Sequence, residues 1–402
     1  MLPSLLPNPL HKTRASPADN DSVSRNSSSP SSSSSSSSSF PDMWSYLWIP
    51  FIISLSKEFV VARASDIQLQ SSKTLHLLSD LNEKSSECSS VPKCPSQNPA
   101  LNYRPIIGIL SHPGDGASGR LNNETGISYI AASYVKFVES AGARVIPLIY
   151  NEPHEILFEK LSLVNGVLFT GGREKNGSYF DTVKNIFLKS LSTNDNGVHF
   201  PLYAICLGFE LLSMIISKDD KILESFNAAD HGSTLQFTEN INIEGTVFQR
   251  FPSELLRKLE TDCLAMQSHR YGISPERFQN NSYLSKFFDV ITTSVDDDNK
   301  EYVSTIQARN YPITAFSWHP EKNAFEWGLP MIPHSEDAIQ VTQLVANFFI
   351  SEARKSSNRP PVQRVLDNLI YNYSPTYCGR AGKGYDEVYI FERHKPVMIS
   401  KV

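Results

Sequence analysis

The stretch Pro201-Leu-Tyr-Ala-Ile-Cys-Leu-Gly-Phe-Glu210 decides the fold class of this chain. It is a short apolar run that stops abruptly at Cys206, a pattern typical of a buried parallel strand that ends in a tight turn. Gly208 has no side chain to obstruct the start of a following helix. The thiol is therefore predicted to project from a strand–turn–helix junction, as in a nucleophile elbow. The dipole and the free amide groups of that helix N-terminus are expected to favour the thiolate of Cys206.

A second apolar run, residues 312–318, ends at His319, and Glu321 follows two residues later. A histidine at a strand end has the chemistry to take the proton of a thiol, and a nearby carboxylate can orient its imidazole. Taken alone, a buried cysteine is usually a small core residue, and a lone histidine is usually structural. Because both residues stand in matching contexts, we predict a Cys/His hydrolase with Cys206 as nucleophile, His319 as base and Glu321 in a supporting role.

The N-terminal 64 residues are predicted to form a leader. Residues 1–42 are rich in Ser, Pro and Asn, with nine consecutive serines from Ser31 to Ser39, and are predicted to be disordered. Residues 43–64 contain a ten-residue apolar stretch and end in a small-x-small site at Ala64, which is typical of a secretory signal peptide. The apolar stretch is short and interrupted by Pro50, so we predict no membrane association once the leader is removed.

The rest of the chain divides into three regions. Residues 65–103 are polar and predict a linker, residues 104–355 predict the catalytic domain, and residues 356–402 form a Pro- and Tyr-rich C-terminal extension expected to dock on that domain. In the first half of the domain, apolar strands alternate with helical stretches such as residues 126–141. This alternation predicts an α/β fold in which helices cover both faces of a mostly parallel sheet.

The second half of the domain predicts a different pattern. Between residues 233 and 305 the apolar runs become shorter, and we expect antiparallel strands at 235–237, 241–243 and 302–306. After the histidine strand, Ser335 precedes two acidic residues and an amphipathic stretch that extends to about Lys355. This arrangement predicts a capped helix. The parallel sheet should therefore carry an antiparallel extension.

Composition excludes several classes of function. The net charge is −5 and no basic stripe is present, so nucleic acid is not expected as a partner. No phosphate-binding Gly-rich loop occurs, and we predict neither a cofactor nor a metal. Five cysteines are an odd number, so in an oxidising compartment the nucleophile would stay free while the other four could form up to two disulfides of undetermined pairing. Sequons begin at Asn123, Asn176 and Asn280, as in secreted glycoproteins.

Several blocks resemble the γ-glutamyl hydrolases, which trim folate polyglutamates and belong to the class I glutamine amidotransferase-like superfamily. The blocks are Ser128–Val145, Leu168–Gly172, Cys206–Glu210 and Trp318–Trp327. The resemblance covers roughly residues 104–355, and the Tyr-rich tail is similar to that of plant members. It implies a flavodoxin-like α/β fold and the cleavage of folyl-poly-γ-glutamate by a cysteine nucleophile without a cofactor.

The resemblance also assigns roles to particular residues. It implies that the Cys206 thiolate attacks the γ-amide carbonyl and that the backbone N–H groups of Gly172 and Leu207 hold the oxyanion. His269 falls where the family has a histidine that faces the active site. Arg173 and Lys175 follow the oxyanion turn and are read as solvated loop residues. Ala204 replaces a glycine that is usual two residues before the nucleophile, a change we expect to be tolerated.

The resemblance further implies a location and leaves two alternatives open. It points to the secretory pathway, with the vacuole favoured over the extracellular space or cell wall, and it leaves a homodimer open because dimers are common in the family. One alternative function is a glutaminase subunit of an amidotransferase. The other is a non-enzymatic binding protein of the same fold. Glu210, where glutamine-dependent amidotransferases usually carry Gln, and the intact His-Pro-Glu sequence at 319–321 weigh against them.

Overall fold

The structure is a computed structural model that describes residues 96–116, 126–379 and 385–392; the predicted leader, signal peptide and most of the linker lie outside these residues. The strands, in chain order, are β1 (Ile106–Leu110), β2 (His112–Pro113), β3 (Ser128–Ala131), β4 (Arg144–Leu148), β5 (Gly166–Phe169), β6 (Leu202–Ile205), β7 (Glu224–Ser233), β8 (Gln236–Phe237), β9 (Ala265–Gly272), β10 (Phe288–Val295), β11 (Glu301–Ala308), β12 (Ile313–Phe316), β13 (Thr376–Tyr377) and β14 (Glu387–Phe391).

Eight of these strands form the central sheet, in the order β4-β1-β5-β6-β12-β11-β10-β8. The first five are parallel to one another, and β11, β10 and β8 continue the sheet in antiparallel pairing. The parallel strands are continuously buried, as expected where helices cover both faces. The predicted α/β architecture, a mostly parallel sheet covered by helices and continued by antiparallel strands, is confirmed.

The helices cover the sheet from both sides. They are α1 (Ala132–Ser140), α2 (His154–Leu161), α3 (Gly177–Asp195), α4 (Leu207–Ser217), α5 (Ser253–Thr261), α6 (Pro275–Asn280), α7 (Ser282–Phe287), α8 (Lys322–Phe325), α9 (Glu336–Arg354) and α10 (Val362–Asn368). Alternate residues of the parallel strands face two separate cores. Buried residues of α1 and α9 join one core, and those of α3 and α4 join the other. As predicted, α9 begins with Ser335 as its cap, whose Oγ accepts from the Ala338 N–H at 3.2 Å.

The helix expected over residues 126–141 begins only at Ala132. Residues Ser128–Ala131 instead form β3, which pairs antiparallel with β14 near the end of the chain. The apolar spacing of this segment satisfies either structure, and the partner strand that decides between them lies in the C-terminal extension. That extension thus shares a four-stranded sheet, β13-β14-β3-β2, with the domain.

Two further expectations about strands differ from the structure. Residues 241–243, expected to form a strand, lie in a series of turns in which Ile241 N–H bonds to Thr238 O and Thr246 N–H to Ile243 O. Their isoleucines still pack on the core, which explains the apolar pattern. Conversely, β7 and β9 form a two-stranded sheet that the sequence did not predict, because both strands carry mainly polar residues.

Cys206, Cys263 and Cys378 are free, while Cys88 and Cys94 lie outside the described residues. Within the described ranges no helix has both the length and the apolar character to cross a membrane.

Candidate active site

The candidate catalytic residues meet at one edge of the central sheet. His112 lies two residues beyond β1, Gly171 and Gly172 follow β5, Cys206 immediately follows β6, and His319 lies just beyond β12. These four strands are consecutive in the sheet, in the order β1-β5-β6-β12, and all of them run in the same direction. Carboxyl ends of parallel strands are where open α/β sheets bind their ligands.

Cys206 occupies the sharp turn that its sequence predicts. Its backbone has φ 53° and ψ −105°, and it is the N-cap residue of α4. A left-handed φ is unfavourable for a residue with a side chain and costs about 1–3 kcal/mol, which the surrounding fold must offset. A Cβ on Gly208 would lie only 3.0 Å from the Phe169 carbonyl oxygen and 3.2 Å from Ala204 Cβ. The close packing at the elbow therefore favours glycine at 208, and the methyl group of Ala204 fits beside it.

His319 and Cys206 flank the same point in space. A Cβ placed on Gly171 would lie 2.9 Å from His319 Cε1 and 3.4 Å from Cys206 Cβ. The imidazole is fixed on its other side, where Nδ1 hydrogen bonds Glu321 Oε1 at 2.7 Å, and its backbone N–H donates to Met266 O at 2.8 Å. Because Nδ1 carries the proton donated to Glu321, Nε2 is left as the basic nitrogen. The structure thus brings together all three residues of the predicted Cys-His-Glu set.

The protonation state of Cys206 differs from the thiolate that its position at a helix N-terminus predicts. Burial, reinforced by the charges of Glu210 and Glu321, raises the pKa of Cys206 to about 12, although the Leu207 N–H and Lys322 act against this rise. Burial lowers the pKa of His319, and Glu321 opposes that change. The expected stabilisation of the thiolate by the helix N-terminus is therefore outweighed by desolvation. In the free protein the pair is a neutral thiol beside a neutral imidazole, and the proton must move when the substrate is attacked.

The two predicted oxyanion donors lie on either side of Cys206. Leu207 begins α4, and its N–H is directed at the Cys206 side chain. Gly172 has φ 157°, and a side chain there would collide with the ring of His112. The neighbouring Gly171 N–H already donates to the Tyr134 hydroxyl at 2.8 Å. Among the described residues the Gly172 N–H has no acceptor, so it is available to a ligand.

His112 holds the Gly-Gly turn in place, a role that the sequence reasoning missed. Its Nε2 accepts from the N–H groups of Arg173 at 3.1 Å and Glu174 at 3.2 Å, while Nδ1 donates to Pro113 O at 2.7 Å. Burial lowers its pKa to about 4, so the ring is neutral and Nε2 remains an acceptor. A polar residue two positions beyond the buried strand β1 was the available signal, similar to the one that identified Cys206 and His319.

His269 lies on a strand beside the site. It belongs to β9, the strand whose Met266 and Ser268 carbonyl groups face His319 and Cys206. Its Nε2 hydrogen bonds the Gln267 side chain at 3.0 Å, and burial together with the charge of His319 lowers its pKa to about 3. A role for His269 in binding substrate stays a prediction.

Lys175, which is partly buried, forms an ion pair with the buried Glu210 near the thiol. Lys175 Nζ lies 2.8 Å from Glu210 Oε2 and 4.4 Å from the centre of the Tyr271 ring. The expectation that Lys175 is solvated is therefore wrong, whereas Arg173 is exposed as expected. Burial raises the pKa of Glu210 to about 7, and Lys175 limits the rise. In the described ranges no group of three His, Cys, Asp or Glu side chains is arranged to hold a metal ion.

A strained cysteine at the end of a parallel strand, a buried histidine hydrogen bonded to a glutamate, and a free amide donor define a cysteine-type peptidase of the α/β class. The comparisons agree, because the family model described as Peptidase C26 matches residues 105–321. Gamma-glutamyl hydrolase 2 of Arabidopsis thaliana is 61% identical over 358 residues, which span 89% of this chain and 100% of that protein. The chain belongs to the Peptidase C26 family and, within it, to the gamma-glutamyl hydrolases.

Other proteins also match a large part of the chain. Gamma-glutamyl hydrolase of Glycine max is 60% identical over 300 residues, covering 74% of this chain and 88% of that protein. The human gamma-glutamyl hydrolase is 36% identical over 296 residues, covering 72% of this chain and 90% of that protein. A solved glutamine amido transferase from Methylobacillus flagellatus aligns with a TM-score of 0.39 at 10% identity, covering 65% of this chain and 98% of that one. That structural likeness is too weak to carry an argument.

Proposed function

We propose that this enzyme cleaves the γ-glutamyl bonds of folyl-poly-γ-glutamates and so shortens the glutamate chain of folates. The observation that carries the proposal is the meeting of Cys206 with the His319–Glu321 pair beside Gly171. Relatives named gamma-glutamyl hydrolase support the bond type. The test is mass spectrometry of the products from pteroyl-pentaglutamate. Release of glutamate or γ-glutamyl oligomers is the expected result, and intact substrate would refute the proposal.

The proposed reaction has two halves. In the first, Nε2 of His319 takes the thiol proton as the sulfur of Cys206 attacks the γ-carbonyl carbon, and the proton passes to the departing amine. The C–N bond breaks and a thioester to Cys206 remains. In the second, His319 takes a proton from water, which attacks the thioester, and the thiol is restored. The Gly172 and Leu207 N–H groups would hold the oxyanion in both halves, and losing one such donor typically costs about 3 kcal/mol.

Glu321→Gln is expected to lower kcat/KM about 10- to 100-fold, because the imidazole loses its charged orienting partner. It should also move the acidic limb of the pH profile of kcat/KM to lower pH. The reason is that the Glu321 charge raises the pKa of His319 against the effect of burial, so its removal lets that pKa fall further. A pH profile of kcat/KM for both proteins measures the two effects together. If Glu321→Gln were as inactive as a variant lacking the His319 imidazole, Glu321 would be an essential member of a triad and not a supporting residue.

We also propose that the enzyme works in the secretory pathway, with the vacuole favoured over the cell wall. The signal-like segment at residues 43–64 supports this, although it lies outside the described residues. Asn176 and Asn280, which begin two of the sequons, are both exposed and thus accessible for glycosylation. A lowered pKa of His319 suits an acidic compartment, because the imidazole stays neutral and able to accept a proton there. A fluorescent fusion of the full chain tests the location.

A further inference from the structure

Tyr385 brings an aromatic ring of the C-terminal extension to the catalytic centre. The ring lies beside those of Tyr129 and Tyr134, at centroid distances of 5.9 and 6.4 Å, and 5.0 Å from the Lys322 nitrogen. Burial raises the pKa of its hydroxyl well above the usual range, and the neighbouring Tyr129 and Cys206 add to this rise. A residue from near the end of the chain therefore forms part of the wall around the nucleophile.

The segment that carries Tyr385 is held in place by a strand and by two hydrogen bonds. Directly after it, β14 pairs with β3 along four residue pairs. The Asp386 N–H donates to Glu326 Oε2 at 2.8 Å, and the Asp386 carboxylate accepts from the Trp327 N–H. Both bonds lead to the loop that follows His319. The position of the ring is therefore fixed relative to the catalytic base.

Exclusion of water governs the protonation of the two catalytic side chains. Burial is the largest contribution both to the raised pKa of Cys206 and to the lowered pKa of His319. The charge of Lys322 lowers both pKa values, because a positive neighbour favours a thiolate and disfavours an imidazolium. The ring of Tyr385 bears on both contributions, since it covers the site and contacts the ammonium group at cation–π distance. Without the ring, water would reach the imidazole and would screen the ammonium charge.

We propose that Tyr385 is a positioning residue that closes the catalytic centre against water on the side of the C-terminal extension and holds the Lys322 ammonium group beside it. The consequence is that His319 stays neutral, and able to accept a proton, in acidic surroundings. The aromatic face is the acting part, because the contact with the ammonium group is made by the ring. This inference rests on the proposed function for its reaction and gives the extension a task in it.

Several titratable groups from different elements surround the imidazole of His319. They are Glu321 and Lys322 of the same loop, Asp230 of β7, His269 of β9, Cys206 after β6 and Tyr134 of α1. A substitution at residue 385 removes none of them. A change in the pKa of His319 in such a variant therefore measures what the ring contributes through water exclusion and through the position of the ammonium group.

Tyr385→Ala is expected to move the acidic limb of the pH profile of kcat/KM to higher pH by about one unit. Water can then hydrate the imidazolium, and Lys322 is held less firmly, and both changes raise the pKa of His319. Below the limb the rate should fall about tenfold relative to the unchanged protein, with a much smaller difference at neutral pH. The shift is opposite in sign to that expected for Glu321→Gln. Tyr385→Phe should keep the original profile, and so should the control Tyr377→Ala, a change at an exposed tyrosine of the same extension.

The pKa of His319 can also be measured without turnover. In protein labelled at its histidines, the NMR resonance that is missing from His319→Asn is followed from acidic to neutral pH in each variant. We expect a higher titration midpoint in Tyr385→Ala than in the unchanged protein and in Tyr385→Phe. Because no substrate is present, this result holds even if product analysis refutes the proposed reaction, so the two failures are distinguishable.

A purely structural role for Tyr385 would give a different pattern. An equal loss of kcat/KM at every pH, with the His319 midpoint unchanged, would overturn the proposal and leave the ring a role only in docking the extension. A Tyr385→Phe protein that behaved like Tyr385→Ala would also contradict it, because the hydroxyl would then be the acting group. If Tyr385→Ala does not fold, Tyr385→Leu keeps apolar volume but lacks the ring face, and its His319 midpoint should move in the same direction. An unshifted midpoint in Tyr385→Leu would overturn the proposal.

Discussion

Cys206→Ala is expected to abolish cleavage of pteroyl-pentaglutamate, with a loss of at least about 10,000-fold in kcat, because the thiol that forms the thioester is removed. The Cys206→Ala variant should still fold. Alanine fits the elbow, and removing one sulfur atom from a site that faces the catalytic edge should change the free energy of unfolding by about 1 kcal/mol. The measurements are a progress curve with product analysis and a thermal unfolding curve of the same preparation.

Cys263→Ala is the matched control, since Cys263 is also a free cysteine but is exposed and lies outside any strand–turn–helix junction. It should retain full activity. A second measurement addresses the intermediate directly: when the unchanged protein is quenched in acid during turnover, a γ-glutamyl adduct should be found on the peptide that contains Cys206. Residual activity of Cys206→Ala above about 1% of the unchanged protein would remove Cys206 from the role of nucleophile.

His319→Asn is expected to be nearly as damaging as the loss of the thiol. The pKa of Cys206 is raised to about 12, so at working pH almost no thiolate exists without a base to remove the proton. Asparagine preserves a polar side chain next to Glu321 but cannot accept that proton. Nucleophile and base act as one unit, so the double variant Cys206→Ala/His319→Asn should be little worse than either single one. Initial rates of the three variants under identical conditions measure this.

The pH dependence of the reaction rate provides a further control for the His319→Asn variant. If His319 is the base, rates of the weakly active variant should rise as hydroxide becomes available to deprotonate the thiol, whereas the unchanged protein should show a plateau above the pKa of its imidazole. A His319→Asn protein with a rate within tenfold of the unchanged protein at mildly acidic pH would contradict the assignment. His199→Asn, a change at a partly exposed histidine paired with Glu352, should leave activity intact.

The sequence predicts the parallel half of this fold well, since each buried strand is a continuous apolar run bounded by a turn. The same signal locates Cys206 and His319, because a polar residue directly after such a strand lies at the edge where ligands bind. It could also have located His112, which follows β1 in the same way. The Glu321 contact follows from its position two residues beyond His319, within reach of the imidazole.

What the sequence does not predict depends on distant partners. Residues 128–131 form a strand by pairing over their full length with β14, more than 250 residues away, and in part with the two-residue strand β2. The contact of Lys322 with the ring of Tyr385 likewise depends on that distant segment. The protonation state of Cys206 is likewise a property of the assembled site. A helix N-terminus favours a thiolate, but the decisive contribution is desolvation by residues from several strands, which no local pattern records.

The most direct test of the account is a comparison of two substrates that offer Cys206 the same carbonyl. Glutamine and a γ-glutamyl peptide differ only in what leaves, ammonia or an amine that bears a further glutamate. The purified protein should be incubated with each at pH 5 to 6, with ammonia, glutamate and γ-glutamyl oligomers measured in parallel. The account predicts rapid release of glutamate or γ-glutamyl oligomers from pteroyl-pentaglutamate and negligible ammonia from glutamine. Ammonia release at a rate comparable to peptide cleavage would contradict it and identify a glutaminase.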